Sequence, residues 1–175
     1  AAHSIVQKLN EEQVADTAAS DEEAVLENKI AEYDAFLTKQ DPAFTVEELE
    51  EAMQKVMDQY AGGIGTHYQF NEKQLAMAEE KIRQLQVLAE GLKAEDMHEL
   101  MFVYELKERL TVCLTVIAHL RARKETRWHS FAENLDYPEK SDAWLCYVNS
   151  KKNGDQITMI RRDLVKGGET YEHRD

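Results

Sequence analysis

The 175-residue sequence contains only two prolines and seven glycines. A β-protein with many turns depends on those residues, so their scarcity favours long helices. Cysteine is as rare as proline, and Cys113 and Cys146 lie far apart among apolar neighbours. This pattern is typical of buried free thiols in a reducing compartment, and it leaves a disulfide between them open.

Basic residues are also few, with 21 Lys and Arg against 34 Asp and Glu, for a net charge of −13. Residues 1–60 have a net charge of −11, whereas residues 61–175 have a net charge of only −2. An acidic half repels phosphates, which argues against general nucleic-acid binding. A long uncharged apolar run is missing too. The most apolar stretch, 97–120, is interrupted by Glu99, Glu105, Lys107, Glu108 and Arg109. It therefore predicts a core helix and no membrane span.

That stretch, from Met97 to Leu120, contains no Gly or Pro and has apolar residues on nearly every face. A helix of this kind must be covered by neighbours, so we expect it to be the central helix of the fold. Asp96 stands where an N-cap residue would begin it. The chain then changes abruptly to Arg121-Ala122-Arg123-Lys124-Glu125-Thr126-Arg127-Trp128.

Three further helices are predicted from N-cap residues at the spacing of a capping box, followed by apolar residues three and four apart. The cap pairs are Ser20 with Glu23, Thr45 with Glu48, and Asn71 with Gln74. Together with the central helix, the pattern predicts helices near 21–38, 46–60, 71–91 and 96–123. Their short connections favour antiparallel neighbours.

The pattern changes after Trp128. Residues 129–142 resemble a loop, and aromatic and β-branched residues predict short strands at 144–148 and 157–160. Between them, Asn153-Gly154 is typical of a type I′ hairpin turn. We therefore predict a mainly α fold, an antiparallel bundle of three to four long helices with a small C-terminal β-hairpin. The predicted units are a helix end with a linker at 1–20, the bundle at 21–128, a loop and hairpin at 129–165, and a flexible tail at 166–175.

The sequence shows no recognised motif for catalysis, dinucleotide binding or metal binding. Gly63-x-Gly65 has Tyr68 where a dinucleotide loop needs its third glycine, and no strand precedes it. Glu95-x-x-His98 is a single pair, whereas a di-iron bundle needs two pairs and two further glutamates. His119 is interpreted as a core histidine. We therefore predict no catalytic, cofactor-binding or metal-binding residue in this chain.

The basic segment that ends at Trp128 has two interpretations. Cations at a helix C-terminus complement the helix dipole, which is a purely structural role. Alternatively, the segment is a docking or anion-facing edge. In that hypothesis Arg123 and Arg127 clasp one carboxylate, Glu125 pairs with one of them, and Trp128 anchors the loop. RNA binding is disfavoured because no aromatic residues are interleaved with the charges.

At these residues a resemblance to a known family appears. Arg123 to Trp128, followed by Asp136-Tyr137-Pro138, a Trp at 144 and a Cys-Tyr-Val strand with its hairpin partner, resembles the C-terminal part of the succinate dehydrogenase/fumarate reductase flavoproteins. The Thr-Arg-Trp version is closest to the alpha subunits of adenylylsulfate (APS) reductases. The similarity runs from about residue 46 to 162. The chain departs from that pattern at His129-Ser130-Phe131, and residues 10–45 match poorly.

The resemblance implies that the chain is the C-terminal structural and subunit-docking domain of an FAD-dependent oxidoreductase and is not catalytic in isolation. Residues 1–9 resemble the end of the helix that closes the flavin domain of such proteins. FAD is then implied for the parent protein and not for this chain. The implied partners are the parent's FAD-binding domain and an iron–sulfur subunit, packed near Arg123, Glu125, Arg127 and Trp128, in a cytoplasmic protein. The alternative is a stand-alone acidic helical adaptor that binds a basic partner.

Overall fold

The computed structural model describes residues 19–154 and 156–165, with the side chains of 19–22 left out. The predicted helix end and most of the linker, at 1–18, and the predicted tail, at 166–175, lie outside the described residues. Within them, four helices form the bulk of the fold: α1 (Ala19–Leu37), α2 (Val46–Tyr60), α3 (Glu72–Ala89) and α4 (Met97–Ala122). The predicted class, mainly α with a C-terminal hairpin, is confirmed. The proposed division into domains stays a prediction.

Three of the four predicted N-caps are present. The Thr45 hydroxyl accepts from the Glu48 N–H at 3.2 Å, and the Glu48 carboxylate accepts from the Thr45 N–H at 2.9 Å, which completes a capping box. Asn71 caps α3, and Asp96 caps α4 through the N–H groups of its first turn. The predicted cap at Ser20 is wrong, because α1 already includes Ala19.

Helix α4 is the spine of the bundle, but the prediction that neighbours cover it all round is only half correct. One face is buried against α2 and α3, through residues spaced three and four apart. These are Leu100, Val103, Leu106, Leu110, Leu114 and Ile117. The opposite face keeps Met101 at 53 %, Val112 at 59 % and Val116 at 41 % exposure. The apolar character of that face is therefore unexplained by packing within this part of the chain.

Two short strands were not predicted. β1 (Gln69–Phe70) pairs in parallel with β2 (Glu133–Asn134), which lies in the stretch expected to be loop. The Glu133 N–H donates to Tyr68 O at 2.9 Å, and the Leu135 N–H donates to Phe70 O at 2.8 Å. Strands of two residues give no periodicity in sequence, so only this long-range pairing defines them.

The predicted hairpin is present, with longer strands than expected: β3 (Cys146–Asn153) and β4 (Gln156–Asp163). Asn153 pairs with Gln156, so it ends a strand instead of being the first of the two central turn residues, as predicted. Gly154 follows it with φ 59°, in the left-handed region that glycine adopts without strain. The inner face of the hairpin rests on the bundle through Ile157.

No helix in the described part of the chain combines the length and the apolarity that crossing a membrane requires.

Candidate docking site

The segment that follows α4 is held in one conformation by backbone bonds at both of its ends. Helix α4 ends at Ala122, and Arg123 caps it with extended dihedrals and an N–H bond to His119 O. Three residues later, the Thr126 N–H donates to Glu139 O at 3.2 Å. These bonds fix the conformation of the stretch from Arg123 to Thr126, which we call the strap.

At the centre of this strap is the carboxylate of Glu125, whose side chain is fully buried. Arg123 Nη1 donates to Glu125 Oε1 at 2.6 Å. Arg127 donates to both carboxylate oxygens of Glu125, from Nε to Oε1 at 2.8 Å and from Nη2 to Oε2 at 2.9 Å. The backbone N–H of Ser141 adds a fourth donor to Oε2 at 3.0 Å. Such a carboxylate has its hydrogen-bonding capacity satisfied by the protein itself.

Burial alone would raise the pKa of Glu125 and is the largest single influence on it. The hydrogen bonds from Arg127, Ser141 and Arg123 together outweigh it and lower the pKa from 4.5 to about 2. The hydrogen bond with Glu125 in turn raises the pKa of Arg127. Both shifts favour the ionised forms of Glu125 and Arg127.

The two arginines use their remaining donors to hold the chain that leads into the hairpin. Arg123 donates to Trp144 O at 2.9 Å and to Cys146 O at 3.1 Å. Arg127 donates to Ser141 O at 3.1 Å. We call the group of Arg123, Glu125 and Arg127 the clamp, because it joins the end of α4 to the start of β3.

The structure therefore brings the predicted residues Arg123, Glu125 and Arg127 together. Glu125 was expected to pair with one arginine, and it pairs with both. The carboxylate that the arginines clasp is consequently the chain's own. Trp128 makes none of these hydrogen bonds and is 68 % exposed.

Thr126 and Asn134 are two further important residues that sequence reasoning missed. Thr126 is 1 % exposed, and its hydroxyl accepts from the Asn134 N–H at 2.9 Å and donates to Tyr137 O at 2.9 Å. Asn134 is also buried, and its side-chain oxygen accepts from the Asp136 N–H at 3.0 Å. Their partners are all local loop groups, so no spacing in the sequence could have indicated them.

Around the clamp, apolar side chains face solvent. They line a groove of about 360 Å³, together with Arg123 and Arg127. The apolar lining residues include Val116, Leu120 and Trp128. Beside the groove, Phe131 is 74 % exposed, and its ring contacts that of Tyr68 at 6.4 Å between centroids. His119 lines the same groove and is half-buried, so its interpretation as a core histidine is wrong. An exposed apolar patch next to a rigid polar support is typical of an interaction surface.

The glycine loop at 62–65 does not fit the pyrophosphate of a dinucleotide. The loop follows a helix, and it is folded onto Asp58. The Gly65 N–H, which a pyrophosphate would need, donates to Asp58 Oδ1 at 3.0 Å. A carboxylate at that position would also repel a phosphate. The glycines instead allow the loop to pack closely against Asp58.

Other chemistry has little support in the described residues. No three His, Cys, Asp or Glu side chains there are grouped so that they could hold a metal ion. Cys113 and Cys146 are both free thiols and half-buried. Burial raises the pKa of the Cys113 thiol, which disfavours the thiolate that a nucleophile requires.

Comparison with known proteins agrees with this geometry. The family described as fumarate reductase flavoprotein C-term matches residues 50–169. The alpha subunit of adenylylsulfate reductase from Megalodesulfovibrio gigas is 33 % identical over 98 residues, which are 55 % of this chain and 15 % of that subunit.

Solved structures show the same fold. Adenylylsulfate reductase from Archaeoglobus fulgidus superimposes with a TM-score of 0.75 and 30 % identity, over 89 % of this chain and 26 % of that one. An adenosine-5-phosphosulfate reductase in complex with sulfite gives 0.76 and 31 %, again over 89 % and 26 %. E. coli quinol fumarate reductase, at 16 % identity and a TM-score of 0.69 over 91 % and 28 %, shares the fold. The chain thus spans about a quarter or less of each relative.

The fold is a helical bundle closed by a hairpin, and it matches about a quarter of the larger reductase chains named above. The chain belongs to the family of C-terminal domains of fumarate reductase-type flavoproteins, and it is also similar to part of the adenylylsulfate reductases.

Proposed function

We propose that this chain is the structural and subunit-docking domain of an FAD-dependent oxidoreductase of the fumarate or APS reductase type. In this proposal the chain binds no flavin and turns over no substrate by itself. Its role is to present a rigid surface to the flavin-binding part of the protein. The family match and the short span relative to each relative support a domain role.

The observation that carries the proposal is the contrast between the clamp and its surroundings. The charges of Arg123, Glu125 and Arg127 are satisfied internally, whereas Val116, Trp128 and Phe131 beside them are exposed. Aromatic side chains lose little conformational entropy on binding, and they are therefore favourable contact residues. The surface formed by Val112, Val116, Trp128 and Phe131 is called the Trp128 surface below, and it is the proposed contact with the flavin-binding part.

An iron–sulfur subunit is a second proposed partner, and the cytoplasm is the proposed location. The two free thiols support a reducing compartment. The stand-alone adaptor hypothesis has less support, because the family match covers most of the helical bundle and the hairpin.

The proposal is tested by expressing the 175-residue chain alone and together with the coding region upstream of Ala1. We expect the longer protein to carry the absorbance of bound flavin and the short chain to lack it. Flavin retained by the short chain would overturn the proposal. So would an upstream region that encodes no flavin-binding domain.

A further inference from the structure

The N-terminal half of α1 leaves the bundle. All residues from 23 to 31 are exposed, whereas Phe36 near the end of the helix is buried in the core. Three large apolar residues stand on the exposed half: Val25 at 69 %, Leu26 at 61 % and Ile30 at 49 % exposure. They cannot be explained by packing within the described part of the chain.

Two of these residues, Leu26 and Ile30, continue the face by which α1 packs on the bundle. Leu26 and Ile30 are followed at helical spacing by Tyr33 and Leu37, and both of these pack against the core. The same apolar stripe is thus covered at its C-terminal end and open at its N-terminal end. We call Leu26 and Ile30 the α1 stripe; the exposed Val25 lies on another face of the helix.

Contacts of Lys29 and Glu32, close to the stripe, fix the orientation of α1 on the bundle. The Tyr104 hydroxyl donates to Glu32 Oε1 at 2.5 Å, and Lys29 Nζ donates to Glu32 Oε2 at 2.7 Å. The ammonium of Lys29 also lies 4.8 Å from the centre of the Tyr104 ring, and that of Lys107 lies 5.0 Å from the Phe36 ring. The stripe is therefore presented on a helix whose orientation is already set, which lowers the entropic cost of binding.

The charges on α1 indicate what kind of partner binds the α1 stripe. Glu23, Glu27 and Asp34 are exposed on α1, and its single cation, Lys29, is paired with Glu32. A second copy of this chain would bring like charges together. We propose that the α1 stripe docks an amphipathic helix with an aliphatic stripe flanked by Lys or Arg. This surface lies on a different element from the Trp128 surface and does not depend on flavin docking.

A peptide probe tests the proposal with the full 175-residue chain. The probe is a fluorescein-labelled peptide of about five helical turns, with leucines three and four apart on one face and lysines beside them. Fluorescence anisotropy at low and high salt measures its binding. A control peptide has the same composition in scrambled order, so that its leucines no longer share a face.

The matched variants are a Leu26→Ser, Ile30→Ser double variant and a Val87→Ser control, which changes an apolar residue of α3 that is 73 % exposed. We expect the stripe variant to bind the probe about tenfold more weakly and the control to bind it normally. A Glu23→Gln, Glu27→Gln variant should lose much of the salt dependence. Since all the substituted residues are exposed, circular dichroism should show an unchanged helix content.

Equal binding of the scrambled peptide would overturn the proposal, because charge alone would then suffice. Unchanged binding by the stripe variant would overturn it as well. Dimerisation of the chain through the stripe, seen by sedimentation velocity and lost in the stripe variant, would show that the occupant is a second copy. None of these outcomes depends on the flavin-binding part, so failure here and failure of the proposed function are distinguishable.

Discussion

The carboxylate of Asp136 accepts a 2.7 Å hydrogen bond from the backbone N–H of Glu72, 64 residues earlier in the chain. Glu72 is the first residue of α3, and the N-cap Asn71 already satisfies the Gln74 N–H. Asp136 therefore acts as a second cap supplied from the loop that follows the clamp. It ties the candidate docking site to the bundle.

Replacing Asp136 with Ala should lower the free energy of unfolding by about 1 kcal/mol, the usual effect of losing a cap. Asp136→Asn is the matched control, because it keeps an acceptor oxygen and removes the charge. Urea unfolding of both variants measures the difference. An Ala variant as stable as the wild type would show that the contact contributes nothing.

Glu125→Gln should destabilise the chain by about 2–3 kcal/mol, because two arginines would then face a neutral amide. The effect should depend on pH in a defined direction. The pKa of Glu125 is lowered in the folded state from 4.5 to about 2, so its contribution is complete above pH 4.5 and is lost as the pH falls toward 2.

Comparing the variant with the wild type isolates Glu125 from the other carboxylates. The stability gap should be constant near neutral pH and should shrink between pH 4.5 and about 2. Thermal unfolding at several pH values measures it. A gap that stayed constant down to pH 2 would mean that Glu125 titrates normally or is not clamped.

Gly63→Ala should be severely destabilising. An added Cβ would lie 2.3 Å from the Cα of Asp58 and 2.4 Å from its Oδ1, so the backbone of the loop would have to move. We expect a loss of at least about 3 kcal/mol. Gly154→Ala is the control, since nothing lies within 4 Å of its added Cβ. Its φ of 59° should cost only about 1 kcal/mol. Equal effects on the melting temperature would contradict this explanation of the glycine loop.

Local signals predicted most of the fold. The caps Thr45, Asn71 and Asp96 and the apolar spacing on α3 were sufficient to locate three helices to within about two residues, as is usual for strong periodic patterns. The hairpin turn was misplaced by one residue, because its position depends on the strand register, which the sequence does not give.

The candidate site was less predictable. The charges of the clamp are visible in sequence, but the Ser141 N–H and the carbonyls of Trp144 and Cys146 that complete it come from a loop without periodicity. The exposure of the outward face of α4 was predicted wrongly for a different reason. An apolar face such as that of Met101, Val112 and Val116 indicates a partner, and sequence alone does not say whether that partner lies in the same chain.

Trp128→Asp should leave the isolated chain nearly as stable as the wild type, within about 0.5 kcal/mol, because the side chain is exposed and outside the core. The same substitution should weaken assembly of the longer protein, since it places a charge in the proposed contact. Thr126→Val removes a buried hydroxyl that accepts from the Asn134 N–H and donates to Tyr137 O, so it should do the reverse and destabilise the isolated chain. Chemical unfolding of the short chain and flavin retention by the longer protein separate the two effects.

Hydroxyl-radical footprinting of Trp128 tests the central claim most directly, in the 175-residue chain and in the protein extended upstream of Ala1. Trp128 and Phe131, at 68 % and 74 % exposure, should be labelled in the short chain and protected in the longer one. Met97, 62 % exposed at the opposite end of α4, should stay labelled in both. Equal labelling of Trp128 in the two proteins would contradict the docking role of this surface.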